Sequence, residues 1–497
     1  SGHQLNPFSM ITSVGADETH GEVYGFLLVY SGNHSTVAKI DQFGNLRVQQ
    51  GINPHQFEWI LGPNESFCTP QSVICYSDSG IGAMTREYHD VFRNNLMRSK
   101  WVNKKRPILI NNWEGTYFDF TEEKLLQMAE KAHQAGIELF VLDDGWFGKR
   151  NNDTCSLGDW KVNYDKLPSG IDGLAEKINK IGMKFGLWFE PEMISPDSDL
   201  YREHPDWAIH IDEREGVQSR NQMVLDLSRD EVCEYVINAV SDILANANIE
   251  YVKWDMNRQL TDMPRLGYNH EYTLGYYKIM SAITEKFPNI LFEGCSAGGG
   301  RFDAGVLAYM PQIWTSDNSD AIARLKMQYS TSMCYPVYSI SSHVTASPNH
   351  QCGRVTSLKT RADVAYCGTF GYELDVTKMS DEEFEEIKAQ IEFEKRIQDL
   401  MCDGDLYRLI NPYETNYCSW EVISKDKKHI FVMACKVLAV AQTKSEKVKL
   451  QGLDVNKRYR NMLTGKVYSG DFLMYHGIRV NYEMKDFSTV VFEFAEI

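Results

Sequence analysis

Two aspartates stand where acid–base and nucleophilic chemistry could be done. Asp255 follows the apolar run that begins at Tyr251, and Asp317 follows the run that begins at Pro311. Cleaving a glycosidic bond takes two carboxyl groups flanking the anomeric carbon. When configuration is retained they lie about 5 Å apart, one attacking the carbon and the other handling the proton. Asp255 has the setting of the nucleophile, because Lys253, two positions earlier, shares its side of an extended strand and would favour an ionised carboxylate. Asp317 is the candidate for the second carboxyl.

Other polar groups recur where apolar runs end: Trp113-Glu114, Asp143-Asp144, Glu190 and Glu192, Asn257, and Cys295. A single Asp at such a place could equally cap the next helix or open a turn. Recurrence at five run ends favours a shared site, and Trp113, Trp146, Trp188, Trp254 and Trp314 accompany it. A pyranose presents an apolar C–H face ringed by hydroxyls, so flat indoles beside carboxylates suit a sugar cleft. Each of these tryptophans could also be a core residue.

The elements needed to gather these groups are legible as apolar runs alternating with helical periodicity from about residue 107. The runs are 107–113, 137–144, 184–190, 223–227, 251–256, 290–295, 311–317 and 337–343. Eight such units predict an α/β fold, a (β/α)8 TIM barrel over residues 99–405, whose strand ends converge on one face. Asp255 then ends the fifth run and Asp317 the seventh. A charged helix with Phe384, Ile387, Ile391 and Ile397 at helical spacing trails the barrel over about 381–401. Short strands bounded by turn residues predict a partial N-terminal β-domain over 1–98 and a C-terminal antiparallel β-sandwich over 406–497.

Composition narrows the partners. A formal charge of −17 over 497 residues opposes nucleic-acid binding, and no apolar stretch reaches the roughly 18 residues of a membrane span. Eleven cysteines without CxxC pairs read as free thiols in the cytoplasm. The opening Ser1-Gly2-His3 reads as a scar ahead of the natural sequence. Gly298-Gly299-Gly300 lacks the spacing of a phosphate loop, and no histidine or cysteine cluster has metal-ligand spacing, so neither cofactor nor metal is expected.

The motifs Asn112-Trp113-Glu114, Leu142-Asp143-Asp144-Gly145-Trp146-Phe147, Trp188-Phe189-Glu190-Pro191-Glu192-Met193, Tyr251-Val252-Lys253-Trp254-Asp255-Met256-Asn257-Arg258, Glu293-Gly294-Cys295-Ser296-Ala297-Gly298-Gly299-Gly300-Arg301 and Trp314-Thr315-Ser316-Asp317-Asn318-Ser319-Asp320 are long and specific. Through them the chain resembles the microbial α-galactosidases of glycoside hydrolase family 36. The resemblance implies double displacement, with Asp255 attacking and Asp317 protonating the leaving oxygen and then activating water. It implies that Asp143 and Asp144 grip the 4- and 6-hydroxyls of galactose and that Trp113 and Trp188 flank the ring. Lys253, Asn257 and Arg220 would complete the polar ring, and Cys295 and Gly298 would form the corner at the 2-hydroxyl. Substrates would be α-galactosides such as melibiose or raffinose. An α-N-acetylgalactosaminidase, a transglycosylase using the same aspartates, and a sugar-binding barrel without catalysis are the alternatives. The likeness is expected to begin near His20, partway through a β-domain that in the family helps build a homotetramer.

Overall fold

The computed structural model describes residues 5–211, 214, 216–442, 446–483 and 485–497, so Ser1-Gly2-His3 lie outside the described residues. Eight parallel strands close into a barrel: β1 Leu109–Asn111, β2 Leu139–Leu142, β3 Lys184–Phe189, β4 Tyr251–Trp254, β5 Leu291–Gly294, β6 Gln312–Trp314, β7 Ile340–Thr345 and β8 Thr369–Glu373. Nearly every residue of these strands is buried, as a parallel barrel covered by helices requires. Helices begin and end on the expected signals. Thr121 caps Glu122–Ala135 by accepting from Lys124 N, and Gly136 closes that helix in the left-handed region at φ 96°.

The closed barrel bears out the expected fold, but one of the eight runs read as its strands, 223–227, is replaced by another segment. Met223–Val224 is no barrel strand; it pairs antiparallel with Met193–Ile194 inside the long excursion between β3 and β4. Asp255 therefore follows the fourth strand and Asp317 the sixth, with one strand still between them. The strand that closes the ring is Thr369–Glu373, pairing with β7 and β1. Its apolar signal is interrupted by Gly371, and the interior requires that gap. A Cβ there would lie 2.9 Å from the His343 ring and 3.0 Å from Leu109.

Flanking sheets brace the barrel. Phe8–Thr12, Val23–Val29 and Gln71–Ser77 form an antiparallel sheet on the N-terminal side, beside the ribbon His34–Ile40/Leu46–Ile52. The helix Asp381–Asp403 leads into a six-stranded antiparallel sheet. The ribbon Lys447–Val448/Ile478–Arg479 contributes to this sheet's core, where Ile430, Val432, Val448, Ile478 and Phe494 are buried together. Arg408 joins the two flanks through a bidentate pair with Glu18, both contacts at 2.8 Å.

Candidate active site

The C-terminal ends of six barrel strands open into one cleft of about 250 Å³. Trp113 and Glu114 enter it after β1, Asp143 and Asp144 after β2, and Trp188 and Glu190 from β3. Lys253, Asp255 and Asn257 enter from β4, Trp314 and Asp317 from β6, and Glu373 from β8. The tryptophans divide. Trp113, Trp188 and Trp314 line the cleft, whereas Trp146 and Trp254 are core residues with no exposed surface. The Trp146 indole donates to Trp188 O at 2.9 Å, and the Trp254 indole donates to Glu192 Oε1 at 3.0 Å.

Asp255 is held at both oxygens. Met256 N donates to Oδ1 at 2.8 Å, while Asn257 Nδ2 at 2.8 Å and Trp188 Nε1 at 3.2 Å donate to Oδ2. Asn257 is itself fixed, because Arg220 Nη1 donates to its Oδ1 at 2.6 Å. Arg220 and Asn221 lie in the left-handed region at φ 52° and 60°. Asp317 is positioned through its backbone and neighbours: Gln351 Nε2 donates to Asp317 O at 2.8 Å, and Arg324 Nη2 donates to Ser316 O at 2.8 Å. Burial, and then the charge of Asp255, push the Asp317 carboxyl up to about 6. A carboxyl so placed can give and take a proton near neutral pH.

The acidic pair after β2 is wired differently on its two sides. Asp143 Oδ2 accepts from Lys253 Nζ at 2.9 Å and from Asn111 Nδ2 at 2.6 Å. Lys253 forms its ion pair with Asp143, and the charge of Asp255 also bears on its ammonium. Burial by itself would lower the Lys253 ammonium, but Asp143, followed by Glu373, outweighs it and holds the group well above its usual range. Asp144 accepts from Arg150 Nε at 3.0 Å and Nη2 at 2.8 Å. Both partners of this pair are buried.

Of the residues singled out from sequence, Asp255, Asp317, Trp113, Asp143, Asp144, Trp188, Arg220, Lys253 and Asn257 all line the cleft. Cys295 and Gly298 are not among the lining residues. Cys295 is buried, and burial, then Asp255 and Asp317, raise its thiol well above the usual range. Gly298, at φ 83°, lets the loop after β5 pass against the chain that carries Asp317. A Cβ there would sit 2.6 Å from Ser316 Cα and 2.7 Å from Asp317 N. Sequence reasoning did not select Arg150, Gln222, His350, Gln351 or Glu373, which also line the cleft. Glu373 was within reach, since a Glu ending the run Thr369–Glu373 repeats the pattern of the other strand ends.

A closed (β/α)8 barrel whose strand ends set two aspartates, flanking indoles and a ring of hydrogen-bonding groups around a sugar-sized cleft defines a glycoside hydrolase. The chain belongs to glycoside hydrolase family 36: the Melibiase family matches residues 66–404, the family 36 C-terminal domain residues 417–494, and the family 36 N-terminal domain residues 1–62. The likeness therefore starts ahead of His20. The chain is 50% identical to the α-galactosidase AgaA of Geobacillus stearothermophilus over all of its own length and 69% of that protein. It is 47% identical to the α-galactosidase Mel36A of Lactobacillus acidophilus, again over its whole length and 69% of the relative. The crystal structure of a variant of AgaA in complex with raffinose superposes with a TM-score of 0.98 at 50% identity, covering all of this chain and 70% of that one.

Proposed function

We propose that this protein is a retaining α-galactosidase that removes terminal non-reducing α-D-galactosyl residues from oligosaccharides by double displacement. The observation that carries the reading is the pair Asp255 and Asp317 in one cleft, coupled closely enough that the charge of one raises the other's carboxyl. Asp255 attacks C1 while Asp317 protonates the departing glycosidic oxygen. Water, deprotonated by Asp317, then releases galactose from the glycosyl-enzyme. Asp143 and Asp144, locked by Lys253 and Arg150, present fixed acceptors to ring hydroxyls. Melibiose and raffinose are the proposed substrates, a choice supported by the raffinose complex of the relative. Eleven free cysteines support a reducing compartment such as the cytoplasm. Among the described residues no helix is long and apolar enough to cross a membrane.

A 2-fluoro galactosyl donor tests the mechanism. It should leave one sugar on the peptide containing Asp255, and an adduct on any other peptide would overturn the assignment. Parallel assays with nitrophenyl α-galactoside and its 2-acetamido analogue test the sugar, and faster turnover of the analogue would reverse it.

A further inference from the structure

Glu190 is one of the cleft carboxyls, with Glu114, Asp153 and Glu373, that this mechanism leaves unused. It is 1% exposed and follows β3 directly. Its Oε1 accepts from Gln222 Nε2 at 2.6 Å and from the backbone N of Asn257. Its Oε2 is buried without a hydrogen-bond partner. The charged groups that bear on it are Asp255 at the end of β4 and Arg150 in the loop after β2.

An ionised carboxylate in this position would bury a bare anionic oxygen next to a second carboxylate, the costliest arrangement available to it. A neutral acid with its proton on Oε2 leaves only one unpaired hydroxyl and keeps Oε1 as the acceptor. Burial, and then the charge of Asp255, move Glu190 in that direction, raising it to about 8. The two bonds at Oε1 also have a mechanical consequence. Asn257 N is held by Glu190 while Asn257 Nδ2 holds Asp255 Oδ2, so the turn after β4 is clamped to the end of β3.

We infer that Glu190 is a positioning residue that works as a neutral carboxylic acid, fixing Asn257, and through it the Asp255 carboxylate, without adding a second negative charge beside the nucleophile. This rests on the assignment of Asp255 as nucleophile. Glu190→Gln keeps a neutral group and the acceptor at Oε1, whereas Glu190→Ala removes the clamp. On nitrophenyl α-galactoside, Glu190→Gln should retain kcat within about 3-fold and Glu190→Ala should lose roughly 100-fold in kcat with little change in KM. Infrared difference spectra of the wild type against Glu190→Gln at pH 7 should show a protonated carboxyl C=O band present in the first and lost in the second. A Glu190→Gln variant as impaired as Glu190→Ala, or a spectrum in which no protonated carboxyl band is lost, would overturn the inference. The infrared comparison needs only the isosteric variant, so it holds even where Glu190→Ala fails to fold. Fluoro-sugar labelling of the wild type separates the two claims, since an adduct on Asp255 upholds the nucleophile whatever Glu190→Gln does.

Discussion

Replacing Arg150 with methionine isolates the energetic link between the barrel and the acidic pair after β2. Arg150 is 2% exposed and Asp144 6% exposed, and the guanidinium meets both carboxylate oxygens through contacts of 3.0, 3.2 and 2.8 Å. Removing one member of a buried, hydrogen-bonded ion pair costs about 3–5 kcal/mol, because the other charge stays buried without compensation. Asp144 can escape part of that cost by binding a proton. Burial already raises its carboxyl against the pull of Arg150, and loss of Arg150 raises it further from an unfolded value of about 3.9. A carboxyl raised on folding contributes stability at low pH and loses it as pH climbs from the unfolded value through the folded one. The deficit of Arg150→Met should therefore shrink on acidification, by up to about 1.4 kcal/mol per pH unit within that window. Urea unfolding of both proteins at pH 5 and pH 7 measures this, and kcat/KM on nitrophenyl α-galactoside should fall by roughly 10- to 100-fold. A deficit below about 1 kcal/mol that is the same at both pH values would refute the reasoning.

Asp317→Ala should reduce kcat/KM on melibiose by roughly 10²- to 10⁴-fold but spare an activated dinitrophenyl α-galactoside; equal losses on both would remove Asp317 from the acid role. With melibiose, kcat/KM of the wild type should decline as pH rises through about 6, where the raised Asp317 carboxyl loses its proton, and a limb unchanged in Asp317→Ala would assign it elsewhere. Gly298→Ala places a Cβ 2.7 Å from Asp317 N in a left-handed backbone, so it should impair melibiose hydrolysis more than dinitrophenyl α-galactoside hydrolysis. Identical effects on the two donors would show that the contact does not act through Asp317.

Chemistry written in residue type at strand ends was readable without coordinates. Asp255, Asp317, Asp143 and Asp144 each follow or end a buried apolar run, and a closed barrel brings such ends to one face. The partners were not readable. Same-face spacing placed Lys253 near Asp255 but did not show that its ion-pair partner is Asp143, which follows β2, two strands along the wall. Met223–Leu227 carries the apolar pattern of a strand, yet the pattern records burial and not the neighbour, and its pairing is with Met193–Ile194. Gly371 hid the closing strand because a packed interior needs an absent side chain where the His343 ring sits, and absence leaves no hydrophobic signal. The protonation of Glu190 likewise arises from tertiary contacts, since it depends on which donors reach Oε1 and on Asp255 standing nearby. Residue types thus determined what reaction the chain can run. Closure of the barrel decided which charges face one another, because only in three dimensions do groups from different strands share one low-dielectric space.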